Sequence, residues 1–202
     1  MQEGARNMAT IIKLYDDPDP NELKLKSEID QAIVSYEDYP IKGITYFDLN
    51  PIYKEPMLRM MLTKLCHDVL ASNDSKLKPL WHNSYDYIAV VESRGFLMGS
   101  ILAEIFRKGL ILLRSKPGRL PGETSIVKHT LEYGESQMEV QNGEGTVLIF
   151  DDVLATGGTA TAAAEVLTKG GYTPVSALFP LELEYCNPDF NLPYQSILKY
   201  EE

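Results

Sequence analysis

A chain of 202 residues with 44% apolar content can bury one substantial core and is short for two, so a single domain with appendages is expected. Its net charge of −10 repels nucleic acid over most of the surface. No apolar run approaches the roughly 20 residues that span a bilayer, so neither nucleic acid nor a membrane is an expected partner. The two cysteines, Cys66 and Cys186, are far apart and lack metal-ligand spacing, which argues against a disulfide scaffold or a zinc site and for a reducing, cytoplasmic setting.

Residues 1–20 end in Asp16-Asp17-Pro18-Asp19-Pro20, a polar, proline-broken stretch that reads as a mobile arm ahead of a folded part at 21–202. Leu23, Leu25, Ile29, Ile33 and Val34 then recur at helical spacing, and Tyr39-Pro40 with Gly43 ends the segment. Residues 56–71 predict a second helix, with Leu58, Met61, Leu62, Leu65, Val69 and Leu70 on one face, and a polar loop follows over 72–84. From there the rhythm changes. The apolar run at 87–91, a helix-like stretch at 96–108 and a second apolar run at 110–113 are the alternation of parallel strands joined by helices. It returns with 146–150, the Ala-rich 159–169, a Gly170-Gly171 stop and 173–179. Between the two halves, residues 115–145 are rich in Gly and Pro and alternate at Ile126-Val127 and Met138-Glu139-Val140, which predicts a hairpin on a mobile loop. A loop of that length inside a compact domain is usually functional.

The densest chemistry lies at 147–159. Val147-Leu148-Ile149-Phe150 is a buried-strand run that stops at Asp151-Asp152, and Ala155, Thr156, Gly157, Gly158 and Thr159 lead into the Ala-rich helix. In open α/β sheets, ligands bind where strands end and helix N-termini point their amides outward. Glycines let backbone N–H groups close around a phosphate, and the hydroxyls of Thr156 and Thr159 add donors. Two adjacent carboxylates suit the hydroxyls of a ribose, not a phosphate. The expected ligand is a ribose 5-phosphate. The turn is neither a Walker loop, lacking Gly-Lys-Ser/Thr, nor a Gly-x-Gly-x-x-Gly dinucleotide turn. Ser93, Arg94 and Gly95 follow the strand at 87–91 and can face a pyrophosphate across the same sheet edge. Arg114, Lys116, Arg119 and Lys128 form the one concentrated basic stretch of an acidic chain.

VLIFDDVLATGGT resembles the phosphoribosyl pyrophosphate signature of the type I phosphoribosyltransferases. Enzymes of that family acting on 6-oxopurines typically have an aspartate where this chain has Ala155, and uracil enzymes a proline where it has Asp152, so both departures favour the adenine branch. Glu92-Ser93-Arg94-Gly95-Phe96, Leu120-Pro121-Gly122 and Leu131-Glu132-Tyr133-Gly134 match the same branch in order, over residues 39–201. The resemblance implies a doubly wound, mostly parallel α/β sheet with a small hood around 39–50 and a flexible catalytic loop around 115–135. It implies transfer of a phosphoribosyl group to N9 of adenine, giving AMP and pyrophosphate, with Mg²⁺ carried near Asp151 and Asp152 and a homodimeric assembly. It also implies that Glu132 handles the proton of the base, that Ser93, Arg94, Gly95, Arg114 and Lys116 bind pyrophosphate, and that Thr45, Tyr46, Phe47 and Leu183 cover the base. Phe47 stands at a place often held by arginine, Ser115 is an extra residue in the basic loop, and 184–191 diverge from the pattern. A phosphoribosyltransferase for hypoxanthine, guanine or xanthine stays open on those grounds, as does a non-catalytic nucleotide-sensing regulator on the same fold.

Overall fold

The computed structural model describes residues 20–72, 84–131 and 134–201, the side chains of 129–131, 134 and 135 excepted. The arm expected at 1–20 lies outside these residues apart from Pro20, which opens helix α1 (Pro20–Ala32). The helical spacing of residues 23–34 runs past the end of that helix. Val34–Tyr36 is instead strand β1, paired antiparallel with β2 (Tyr46–Asp48) in a two-stranded ribbon whose second strand lies in the segment expected to form the hood. Val34, β-branched, suits an extended ribbon better than a helix end. Helices α2 (Asn50–Lys54) and α3 (Pro56–Leu70) follow, each opened by a proline in its first turn, where the missing N–H has no intrahelical partner to lose.

The body is a sheet of parallel strands: β3 (Tyr87–Val91), β4 (Gly109–Leu113), β7 (Gly145–Phe150), β9 (Tyr172–Leu183) and β10 (Tyr194–Tyr200), in the spatial order β10-β9-β7-β3-β4. A two-residue strand, β8 (Val153–Leu154), pairs with the far end of β9. Helix α4 (Gly95–Phe106) joins β3 to β4, and α5 (Gly158–Lys169) joins β7 to β9. The antiparallel hairpin of β5 (Thr124–Leu131) and β6 (Gly134–Gln141) fills the interval between β4 and β7.

Residues alternate faces along each strand, and the two faces feed two cores. Ile88, Val90, Leu148, Phe150 and Leu178 pack with Met98 and Leu102 of α4 and with α1 and α3. Ala89, Val91, Val147, Ile149, Ala177 and Phe179 pack under Ala163, Val166 and Leu167 of α5 and Met138 and Val140 of the hairpin. A parallel sheet covered on both faces explains why β3 and residues 147–150 of β7 read as unbroken apolar runs. Numbered among themselves, the parallel strands run 2-1-3-4-5, so the direction of winding reverses between β3 and β7. A ligand crevice is expected at that switch point, beyond the carboxyl ends of these two strands.

Candidate active site

Both strands at the switch point end in the residues singled out by their chemistry. β3 stops at Val91, and Glu92, Ser93 and Arg94 turn into α4; β7 stops at Phe150, and Asp151 and Asp152 follow. The two turns touch: a Cβ on Gly95 would lie 3.1 Å from Asp151 Oδ1 and 3.2 Å from the Phe150 carbonyl. A glycine is therefore what lets the start of α4 approach the acid pair so closely. Asp152 is buried and Asp151 half-buried. Burial and the neighbouring Asp152 carboxylate push Asp151 well above the usual carboxylate range. Burial also raises Asp152, against the opposing charge of Arg94. We assign the stronger rise to Asp151, because the guanidinium lies on Asp152, with Arg94 Nε 2.8 Å from Asp152 Oδ2. That contact is an ion pair whose N–H direction misses the oxygen, so Oδ2 keeps an unmatched lone pair. Hydroxyl donors or a cation beside these two carboxylates would stabilise their charged forms.

The phosphate turn lies one short strand further on. Gly157, at φ 88°, caps α5 with no side-chain hydrogen bond, which leaves the first amides of the helix for a ligand. Thr156 is exposed and Thr159 half-buried. The turn is braced from behind by Asp189, whose N–H donates to the Thr156 carbonyl at 3.0 Å and whose carbonyl accepts from Thr161 Oγ1 at 3.1 Å. The turn at 155–159 is thus held from behind by the stretch that diverges from the family pattern. Sequence reasoning missed this brace, since nothing in Asn187-Pro188-Asp189 signals contact with a turn thirty residues earlier.

Among the expected pyrophosphate residues, Ser93 is exposed at the turn and Gly95 opens α4, as the strand-to-helix reading requires. The Arg94 side chain lies against Asp152, and its Nη1 donates to Tyr46 Oη at 2.8 Å. Arg114 Nη2 lies 3.1 Å from Glu92 Oε1, and Arg119 Nη1 lies 3.9 Å from the same oxygen. The other Glu92 oxygen accepts from the Ser115 N–H at 2.8 Å and its hydroxyl at 2.9 Å. Burial works to raise Glu92, but the Ser115 hydrogen bonds and the two arginines outweigh it and hold the carboxyl below its usual range. Glu92 is thus an organiser of the basic loop, and the extra Ser115 is one of its ligands. Lys116 is exposed. A second unforeseen anchor is Glu139, almost fully buried on β6, which accepts from the Arg119 N–H at 3.1 Å. Burial would raise its carboxyl, yet the amides of Arg119, Gly118 and Leu120 and the Thr124 hydroxyl lower it.

Thr45, Tyr46, Phe47 and Leu183 all line one cavity of about 430 Å³, together with Arg94 and Ala155. The cavity sits between the hood and the acid pair. Strand alternation separates the two hood aromatics. Tyr46 stands half-exposed at the cavity, edge-on to Tyr39 with ring centroids 5.3 Å apart. Phe47 turns into the core, 4% exposed and 4.7 Å from the Tyr200 ring. Tyr39, Tyr185 and Cys186 also line this cavity and were not foreseen; the aromatic pair 39/46 was the available signal. Glu132 lies outside the described residues, between β5 and β6 in sequence. Among the described residues, no group of three or more His, Cys, Asp or Glu side chains could hold a metal ion by itself, and no helix is long and apolar enough to cross a membrane.

No protein-family model matches the chain. The adenine phosphoribosyltransferase of Prochlorococcus marinus (strain NATL1A) is 41% identical over 176 residues, which cover 83% of this chain and 96% of that one. The enzyme of Nitrosopumilus maritimus is 39% identical over 160 residues, 77% of this chain and 87% of that one. Adenine phosphoribosyltransferase from Thermoanaerobacter pseudethanolicus superposes with a TM-score of 0.75 at 31% identity, covering 87% of this chain and 99% of the other. The Saccharomyces cerevisiae enzyme, solved with adenine and an imino-altritol bisphosphate, gives 0.74 at 31% identity with the same coverage. With relatives this similar over most of their length, and a fold that superposes on theirs, the chain belongs to the adenine phosphoribosyltransferase family.

Proposed function

We propose that this protein transfers the 5-phosphoribosyl group of phosphoribosyl pyrophosphate to N9 of adenine, giving AMP and pyrophosphate. The observation that carries the reading is the order of features along one crevice: phosphate turn, carboxylate pair, then a hood-covered cavity lined by Tyr46, Leu183 and Ala155. In this reading the amides of Gly157, Gly158 and Thr159 and the hydroxyls of Thr156 and Thr159 take the 5-phosphate, while Asp151 and Asp152 take the ribose hydroxyls. Ser93, Gly95, Arg114 and Lys116 face the pyrophosphate. Tyr46 and Leu183 flank the flat face of the base, with Thr45 at its edge and Phe47 supporting the hood from beneath.

The bond from C1′ to the pyrophosphate oxygen breaks as the bond from N9 to C1′ forms, and N9 gives up its proton. Positive charge builds on the ribose ring as the leaving group departs, and fixed carboxylates in a water-poor site stabilise it. We assign the base proton to Glu132. The basic loop around 115–135 serves as the lid that excludes water.

The two adjacent carboxylates, Asp152 buried and Asp151 half-buried, suit a hard cation that takes its remaining ligands from substrate oxygens, as Mg²⁺ commonly does. When bound, Mg²⁺ supplies charge neutralisation on the pyrophosphate; Asp151 and Asp152 would hold it through the ribose hydroxyls or its water shell. A homodimer is supported by apolar residues left exposed on the edge strand β4 (Leu110, Leu112) and on α4 (Leu97, Ile105). A cytoplasmic setting is supported by the two free thiols, Cys66 and Cys186. The test is product analysis with Mg²⁺, phosphoribosyl pyrophosphate and adenine: AMP and pyrophosphate should appear one to one. Pyrophosphate without AMP would mean hydrolysis and would overturn the transfer reading.

A further inference from the structure

We propose that the Tyr46 hydroxyl makes Arg94 a positioning residue that ties the base cavity to the ribose carboxylates, so that the hood is set by the ribose site. The inference rests on the adenine-transfer reading of this crevice. It starts from where Arg94 goes. Arg94 is the N-cap residue just ahead of α4, and a guanidinium there could have faced the pyrophosphate turn. Instead Nε lies 2.8 Å from Asp152 Oδ2, Nη1 donates to Tyr46 Oη at 2.8 Å, and the guanidinium carbon stands 5.2 Å from the centre of the Tyr46 ring.

A guanidinium is planar and rigid, so an ion pair that holds Nε against Asp152 and a hydrogen bond from Nη1 to Tyr46 together restrict where the whole group can lie. One end is anchored on a buried carboxylate, 4% exposed, that cannot turn away without leaving its charge unpaired. The other end reaches the hood. Among the described residues, strand β2 pairs with the three-residue β1 and takes no place in the main sheet, so it needs other ties to hold Tyr46 over the cavity. Phe47 against Tyr200 is an apolar tie on the buried side. The Arg94 contact, spanning 48 residues of sequence, is the polar one on the cavity side. A phenylalanine at 46 would keep the ring for stacking and lose this tie alone, so the hydroxyl has a role separate from the ring.

The test is a cycle of Tyr46→Phe, Arg94→Lys and the double variant, read as KM for adenine, KM for phosphoribosyl pyrophosphate and kcat. Tyr46→Phe is nearly isosteric at a half-exposed site and should fold; circular dichroism and a melting curve check this. A neutral acceptor lost from a partly solvated charged donor should raise the adenine KM roughly five- to tenfold, with kcat within about twofold of the wild type. In the Arg94→Lys background, where the planar two-ended contact is already gone, Tyr46→Phe should add less than about twofold. An unchanged adenine KM in Tyr46→Phe overturns the tie. So does the same fold-rise in both backgrounds, because the hydroxyl would then act without Arg94, and so does a fall in kcat at constant KM. A wild type that makes no AMP from adenine overturns the transfer reading and the tie with it, whereas any of the other results in a working enzyme removes the tie alone.

Discussion

Gly157→Ala tests the phosphate cradle where its geometry is tightest. Gly157 sits at φ 88°, and a Cβ there would lie 2.6 Å from the Asp189 carbonyl oxygen and 2.9 Å from both its carbonyl carbon and its nitrogen. All three are backbone atoms and cannot swing aside as a side chain does. Forcing a non-glycine residue into left-handed backbone costs about 1–2 kcal/mol. Pushing Asp189 away also strains or breaks its two hydrogen bonds to Thr156 and Thr161, each worth about 0.5–1.5 kcal/mol. The combined loss is roughly 2–5 kcal/mol, which for a chain of this length lowers Tm by roughly 5–20 °C. Gly118→Ala is the control: φ is 83° but nothing lies within 4 Å of its Cβ, so only the backbone cost applies and Tm falls by roughly 2–8 °C. Thermal denaturation of both variants, with calorimetric titration of ribose 5-phosphate, separates strain from packing. Gly157→Ala should melt lower than Gly118→Ala and bind ribose 5-phosphate at least about tenfold more weakly, as its amides leave register. Equal Tm values for the two variants, with wild-type affinity in Gly157→Ala, would refute the reasoning.

Asp151→Asn should raise Tm at pH 7 while lowering turnover. A carboxyl whose folded pKa is raised above the unfolded value near 3.9 stabilises the fold fully below that value and loses this contribution as pH rises through the folded pKa. A drop in Tm at pH 7, with no change in the pH dependence of melting, would contradict the assignment. Glu132→Gln should cut kcat by about 10²–10⁴ while leaving phosphoribosyl pyrophosphate affinity nearly intact, measured by rapid kinetics and calorimetry; normal turnover would remove Glu132 from the proton step. Trypsin should cut after the exposed Arg119 in the free protein and more slowly with phosphoribosyl pyrophosphate and Mg²⁺ present. Equal cutting in both states would count against closure of the basic loop.

The parallel strands and the phosphate turn were legible because each is locally encoded. A strand buried on both faces must be apolar throughout, as 87–91 and 147–150 are, and a turn that wraps phosphate needs glycines and hydroxyls at its own positions. Strand β10 was not foreseen, because polar Gln195 and Ser196 interrupt its apolar residues at an edge of the sheet. The helix expected through Val34 was cut short by pairing with Tyr46–Asp48, a partner ten residues further on that helical spacing cannot report. The same limit applies inside the site. Arg94 was expected to face the pyrophosphate from its own turn, and nothing local reports that its side chain also meets Asp152, fifty-eight residues later, and Tyr46, forty-eight residues earlier. Glu92 and Glu139 carry no local signature either. Each gains its role only when the fold brings the loop amides and arginines around it.

The central claim is that this crevice joins adenine to the activated ribose in preference to other purines, with Ala155 at the place where 6-oxopurine enzymes keep a carboxylate. Pyrophosphate release followed continuously, with Mg²⁺, phosphoribosyl pyrophosphate and adenine, hypoxanthine or guanine in separate reactions, gives kcat/KM for each base. The account predicts a value for adenine at least about a hundredfold above either 6-oxopurine, in line with the selectivity of a site built to hydrogen-bond one exocyclic group. Equal or faster release with hypoxanthine or guanine would contradict it.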